Sequence, residues 1–141
     1  MKILILLLFP FVCPAQFFAG LGATNNGVYA EGGYLKHSYE LKLAYKLPMT
    51  RTDVPNITSL QLGRTVSLEK NFSITPSAGV ARYKVLDFSS YDGGGQIIQV
   101  AEWNPIYEIE LGWDKGAGRI FTGFHFCKQL YYSVGIKFYT R

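Results

Sequence analysis

The chain of 141 residues lacks helical periodicity and, beyond its first dozen residues, any long hydrophobic run. Nowhere do apolar residues recur every three to four positions, which argues against helical bundles and α/β folds. Residues 3–12 form the longest apolar run, about half of the roughly 20 residues that a spanning helix needs. Cysteine is scarce, with only Cys13 and Cys127 present. If Cys13 leaves with a cleaved leader, no intramolecular disulfide remains, and packing or a membrane must hold the domain. The two histidines, His37 and His125, lie far apart and show no metal-ligand spacing. Net charge is only +4, without a basic run or an aromatic-basic cluster, so nucleic acid is not an expected partner. Gly93-Gly94-Gly95 follows no strand-to-helix pattern and reads as loop, leaving no expected cofactor.

The N-terminus has the parts of a secretory signal. Lys2 supplies the charged start, residues 3–12 the apolar stretch, and Cys13-Pro14-Ala15 the small residues before a cut. Val12 before Cys13 departs from the small residue usual at lipoprotein sites. The expected division is a signal peptide at 1–15 and one domain at 16–141.

Within that domain the dominant pattern has a period of two. YELKLAYKL, residues 39–47, puts Tyr39, Leu41, Leu43, Tyr45 and Leu47 on one side and Glu40, Lys42, Ala44 and Lys46 on the other. Turn signals separate eight such runs: 17–24, 28–35, 38–47, 57–68, 72–83, 105–113, 119–127 and 130–139. IIQVAEW, before the sixth, is a candidate extension of it. The links at 36–37, 69–71 and 114–118 are short, whereas those at 48–56 and 84–103 are long. They alternate between the two ends of an up-and-down sheet, except that the links at 25–27 and 128–129, on the side of the long ones, are short. A two-residue turn at Lys36-His37 would set Tyr34 opposite Tyr39 and Glu31 opposite Lys42.

Aromatic residues make up 16% of the chain and sort by height along these strands. Tyr34, Tyr39, Phe72, Trp113 and Phe138 fall at one set of strand ends, and Tyr45, Tyr107 and Tyr132 near the other. Two girdles about a bilayer apart are what membrane interfaces select. The apolar face then meets lipid. The opposite face collects Glu31, Glu40, Lys42, Lys46, Glu108, Glu110, His125 and Lys137 as an interior charge network. The expected fold is all-β, an eight-stranded antiparallel up-and-down transmembrane β-barrel with a filled, charged interior and no pore. Three positions resist this scheme. Arg64 shares the parity of Leu60 and Leu62 and would need a bulge at Gly63 to turn inward. Pro76 interrupts a ladder, and both faces of 119–127 are mixed.

The chain resembles the small eight-stranded outer-membrane β-barrel proteins of Gram-negative bacteria over residues 17–139, as a pattern. Its most motif-like part is the last strand, Tyr132, Val134, Ile136 and Phe138, which looks like the terminal signal read by barrel-assembly machinery. Family members usually end on the aromatic residue, whereas here Tyr139-Thr140-Arg141 follow. The resemblance implies an outer-membrane location and a surrounding shell of lipid. His125-Phe126-Cys127 is faintly similar to the His-x-Ser-Asn motif of outer-membrane lipid A deacylases. Cysteine replaces the serine, lysine replaces the asparagine, and no carboxylate follows Asp114. Glu108 and Glu110 lie on one strand face about 7 Å apart, a spacing open to paired-carboxylate chemistry but suited to ion pairing with interior lysines.

A structural or interaction role therefore comes first, as an envelope component or a subunit of a membrane assembly, with no catalytic or metal site. Contacts with other envelope proteins would use loops 48–56 and 84–103, with Arg51, Asp53, Tyr91 and Trp103. The alternatives are a secreted soluble β-barrel binding an apolar ligand, which requires the reverse parity, and a lipid A-modifying barrel enzyme.

Overall fold

The computed structural model describes residues 15–48, 56–87, 98–128 and 130–140. Its strands are β1 (Gln16–Thr24), β2 (Gly27–Lys36), β3 (Tyr39–Pro48), β4 (Ile57–Arg64, continued by Val66–Ser67), β5 (Phe72–Asp87), β6 (Ile98–Lys115), β7 (Gly118–Phe126) and β8 (Leu130–Tyr139). Each pairs antiparallel with its sequence neighbours, and β1 pairs β8, so the sheet closes on itself. Closure leaves no edge strand along the wall, which is what lets strands cross an apolar medium.

Parity answers the question posed by residues 39–47. Leu41, Ile109 and Ile136 are 43%, 42% and 46% exposed, whereas Lys42 and Glu110 are 2% and 1% exposed. A soluble barrel with an apolar centre requires the reverse. This is a transmembrane barrel turned greasy side out, its interior filled by charged side chains. Phe17, Tyr39, Phe72, Trp113 and Phe138 stand exposed around the end bearing the short turns, and Tyr45, Tyr107 and Tyr132 nearer the other. Tyr34 is covered edge-on by Phe17.

Several local expectations need correction. The turn after β2 is His37-Ser38, with φ of 48° and 72°, the signature of a primed hairpin turn. It pairs Lys36 with Tyr39, so Tyr34 opposes Leu41 and Glu31 opposes Ala44. The shift is by two residues, which preserves the faces. There is no bulge at Gly63. The β4–β5 register runs unbroken from Ile57 to Ser67, and Arg64 stays outside over the Tyr39 ring. The ladder lapses instead at Arg64 and Thr65, opposite Pro76 and Thr75, because Pro76 has no N–H to donate. Thr65 N–H turns the other way, to Ser38 O. Finally, both described ends of the expected 84–103 loop, 84–87 and 98–103, are strand. β5 and β6 stay paired to Asp87 and Ile98, beyond the last rungs with their other neighbours. The candidate extension through IIQVAEW is therefore strand from Ile98 onward.

Candidate functional site

The barrel interior is the one place where the fold concentrates chemistry. Alternation in β2, β3, β6 and β8 aims Glu31, Glu40, Lys42, Glu108, Glu110 and Lys137 at the axis, and all are buried. Lys137 Nζ lies 2.6 Å from Glu110 Oε2, 3.0 Å from Glu40 Oε1 and 3.1 Å from Glu31 Oε1. Lys42 Nζ donates to Glu108 Oε1 at 2.6 Å and lies 3.6 Å from Glu31 Oε2. Glu31 and Lys42 thus meet although they are not rung partners. Charges this deep would cost several kcal/mol each if unpaired, so the layer holds only as a set.

The network differs from expectation in two members. Lys46 is buried but pairs with no carboxylate among the described residues; its ammonium lies 4.0 Å above the Tyr131 ring, nearer the long links. Parity identified its face correctly, but its height separates it from the glutamates. Arg119 takes that place. It is buried, sits 3.6 Å from Glu110, and donates from Nε to Asp114 Oδ1 at 2.7 Å. The mixed faces of β7 concealed it in the sequence. A Cβ at Gly112 would fall 2.6 Å from Arg119 Cδ, so that glycine is what lets the guanidinium lie flat on the wall.

Glu31, Glu40 and Glu110 bring one carboxylate oxygen each within 4.8 Å of one another, a spacing that suits a cation. Lys137 Nζ occupies that position, touching all three. Glu40 Oε2 is buried and meets no donor among the described residues.

Above this layer lies an arrangement that the sequence did not reveal. His125 Nε2 is 2.8 Å from Ser133 Oγ, and His125 Nδ1 is 3.1 Å from Glu108 Oε2. The orienting carboxylate sought downstream of the histidine stands upstream, as its rung partner. A nucleophile–base–acid order is thereby present. It is sealed, however: His125 and Ser133 are both 0% exposed, and Tyr131 stacks on the imidazole at 4.2 Å. The Ser133 hydroxyl holds the ring through Nε2, whereas Nδ1 and Glu108 Oε2 stand at ion-pair distance without a hydrogen bond between them. Gly123 makes room for the contact, since a Cβ there would lie 2.9 Å from Ser133 Oγ. Cys127 is half-buried beyond the strand end, packed beside the apolar cluster of Ile57, Ala81, Tyr83, Ile106 and Tyr131.

Of the contact candidates, Arg51, Asp53 and Tyr91 lie outside the described residues. Trp103 belongs to β6, above the last rung with β7, and is 67% exposed. Near it Lys128 donates to Glu102.

No protein-family model matches the chain, and no curated protein matches it in sequence. Solved structures do match in fold. The outer membrane protein Ail of Yersinia pestis, determined in a phospholipid bilayer nanodisc, superposes with a TM-score of 0.59 at 11% identity, over 90% of this chain and 100% of that one. The N-terminal β-barrel domain of Pseudomonas aeruginosa OprF gives 0.58 at 15% identity, over 89% and 96%. A de novo designed transmembrane β-barrel gives 0.56 at 10% identity, over 89% and 94%. What this chain has in common with all three is the architecture of a small transmembrane β-barrel.

Proposed function

We propose that the chain is an exported outer-membrane barrel of a Gram-negative envelope, with a structural or interaction role, no open pore and no catalytic activity. The observation carrying this reading is the division of the barrel into an apolar outer wall with two aromatic girdles and an ion-paired filling. Lipid is the solvent such a wall requires. The filling leaves Lys42, Lys137 and four glutamates occupied with one another, which supports a plug over a channel. Burial of the Ser133–His125–Glu108 relay supports a non-enzymatic role. Envelope proteins would meet the barrel at its long-link end, through 48–56 and 84–103, where Trp103 offers a large exposed aromatic.

Fractionation tests location: recovery with outer membranes, and gel mobility that changes on boiling, are expected. Recovery in the soluble periplasm overturns the reading. Reconstitution in liposomes tests the plug, with sugar permeation at the level of empty vesicles expected. Crosslinking through a photoactivatable residue at Trp103, in native membranes, tests the contact end and would capture envelope proteins there. An unchanged lipid A profile on expression of the chain is expected for a barrel without catalysis.

A further inference from the structure

Arg64 is the one charge on the outward face of β4, beside Thr58, Leu60 and Leu62, and the fold leaves it there. An outward charge costs most at the bilayer midplane and little near an interface. The cross-strand register shows where Arg64 sits. Lys36, Tyr39 and Arg64 are consecutive rung partners across β2, β3 and β4. All three share the outward parity, at the girdle of the short-turn end. The guanidinium lies 5.7 Å from the Tyr39 ring centroid, and no carboxylate among the described residues pairs with it. Tyr39 directly follows the His37-Ser38 turn, so the guanidinium beside its ring lies toward the short-turn end.

Beside that pair the wall is notched. On the next outward rung Ala78 lies between Leu62 and Tyr107, and Pro76 stands opposite Arg64 one step below. Short side chains between bulky ones leave a groove of about 410 Å³ that opens at Arg64 and runs toward Tyr107. A larger apolar groove of about 610 Å³, along Leu111, Trp113 and Ile120, has Glu69 in its lining and no cation. The two differ in charge, and only the first complements a phosphate.

We infer that the Tyr39–Arg64 pair and its groove bind one acidic phospholipid from the leaflet at the short-turn end. Its phosphate pairs with Arg64, in the fork geometry guanidinium offers, and one acyl chain lies over Ala78. This rests on the membrane-barrel reading above and adds a defined lipid to it.

Native mass spectrometry of the full barrel, released from detergent micelles doped with phosphatidylglycerol or phosphatidylcholine, tests the site. A single phosphatidylglycerol adduct is expected, retained roughly tenfold better than phosphatidylcholine, whose choline ammonium offsets its phosphate and is repelled by Arg64. Arg64→Gln should reduce retention to the phosphatidylcholine level, and Ala78→Leu should weaken both lipids by filling the groove. Equal retention of the two lipids by the unaltered barrel, or undiminished preference in Arg64→Gln, overturns the proposal. So does complete displacement by millimolar inorganic phosphate with Ala78→Leu silent, which marks a free-anion site. Boiling-dependent gel mobility is read on the same samples. Its loss in the unaltered chain refutes the membrane reading itself, whereas its presence without a lipid preference refutes only this site.

Discussion

Toward the short turns, the interior is filled by Lys42, Lys137 and Arg119 among four buried glutamates. Toward the long links, the same bore is filled by Ile57, Ala81, Tyr83, Ile106 and Tyr131. The two layers do different work. An apolar layer gains from burial in any arrangement that fills the volume. An ionic layer gains little over apolar packing but loses heavily when a single partner is missing. A strand slipping by two residues keeps its faces and its apolar contacts, yet it separates every charge from its partner. The ionic layer thus selects one register, while the apolar layer supplies net stabilisation.

Breaking the ionic layer should have the larger effect. Lys137→Met leaves Glu31, Glu40 and Glu110 facing one another around an apolar side chain. Removing one member of a buried pair costs about 3–5 kcal/mol, and three carboxylates share this one. Urea unfolding in detergent micelles, followed by fluorescence of Trp103 and Trp113, should show most of the folded population lost. Adding Glu110→Gln removes one uncompensated charge and should recover part of the loss. If Lys137→Met alone unfolds no more easily than the unaltered chain, the register argument fails. In the apolar layer, Ile106→Ala should cost roughly 2–5 kcal/mol through its cavity. It should leave the fold unique, visible as one sharp unfolding transition.

Between the layers, Ser133→Ala removes the partner of His125 Nε2. A loss of about 1–3 kcal/mol is expected for a buried group left unpaired. Ser133→Thr should keep the hydroxyl contact and restore part of the stability, provided the added methyl is accommodated. Equal losses in the two variants would mean that packing, not the hydrogen bond, matters at this position.

The sequence announced which face most strands would bury, β7 excepted, because alternation such as that through Tyr39–Leu47 records it directly. It did not announce height. Lys46 and Arg119 exchanged roles because contact across the bore depends on strand stagger, which no single strand encodes. Ser133 was hidden for the same reason, lying on a different strand from its histidine. The β2–β3 register was missed by two residues because His37-Ser38 takes positive φ without the glycine or asparagine that usually marks such a turn. The paired stretches 84–87 and 98–103 read as loop because Gly93-Gly94-Gly95 between them interrupts the alternation in the sequence. Parity alone places Arg64 outward beside Leu60 and Leu62, and with no bulge at Gly63 it stays there, against the Tyr39 ring.

The smallest expected effect sharpens the same contrast from outside. Lys128 donates to Glu102 at the root of the projecting β5–β6 strands, where both side chains are about half exposed. Such a pair contributes about 0–1 kcal/mol and is screened by salt. Lys128→Ala should therefore shift the unfolding midpoint slightly at low ionic strength and not at all in about 1 M sodium chloride, where the Debye length is about 3 Å. The deficit of Lys137→Met should persist in the same salt, because its carboxylates lie where counterions do not reach. A salt-sensitive Lys137→Met would mean that water and ions enter the bore, and the closed filling would have to be abandoned.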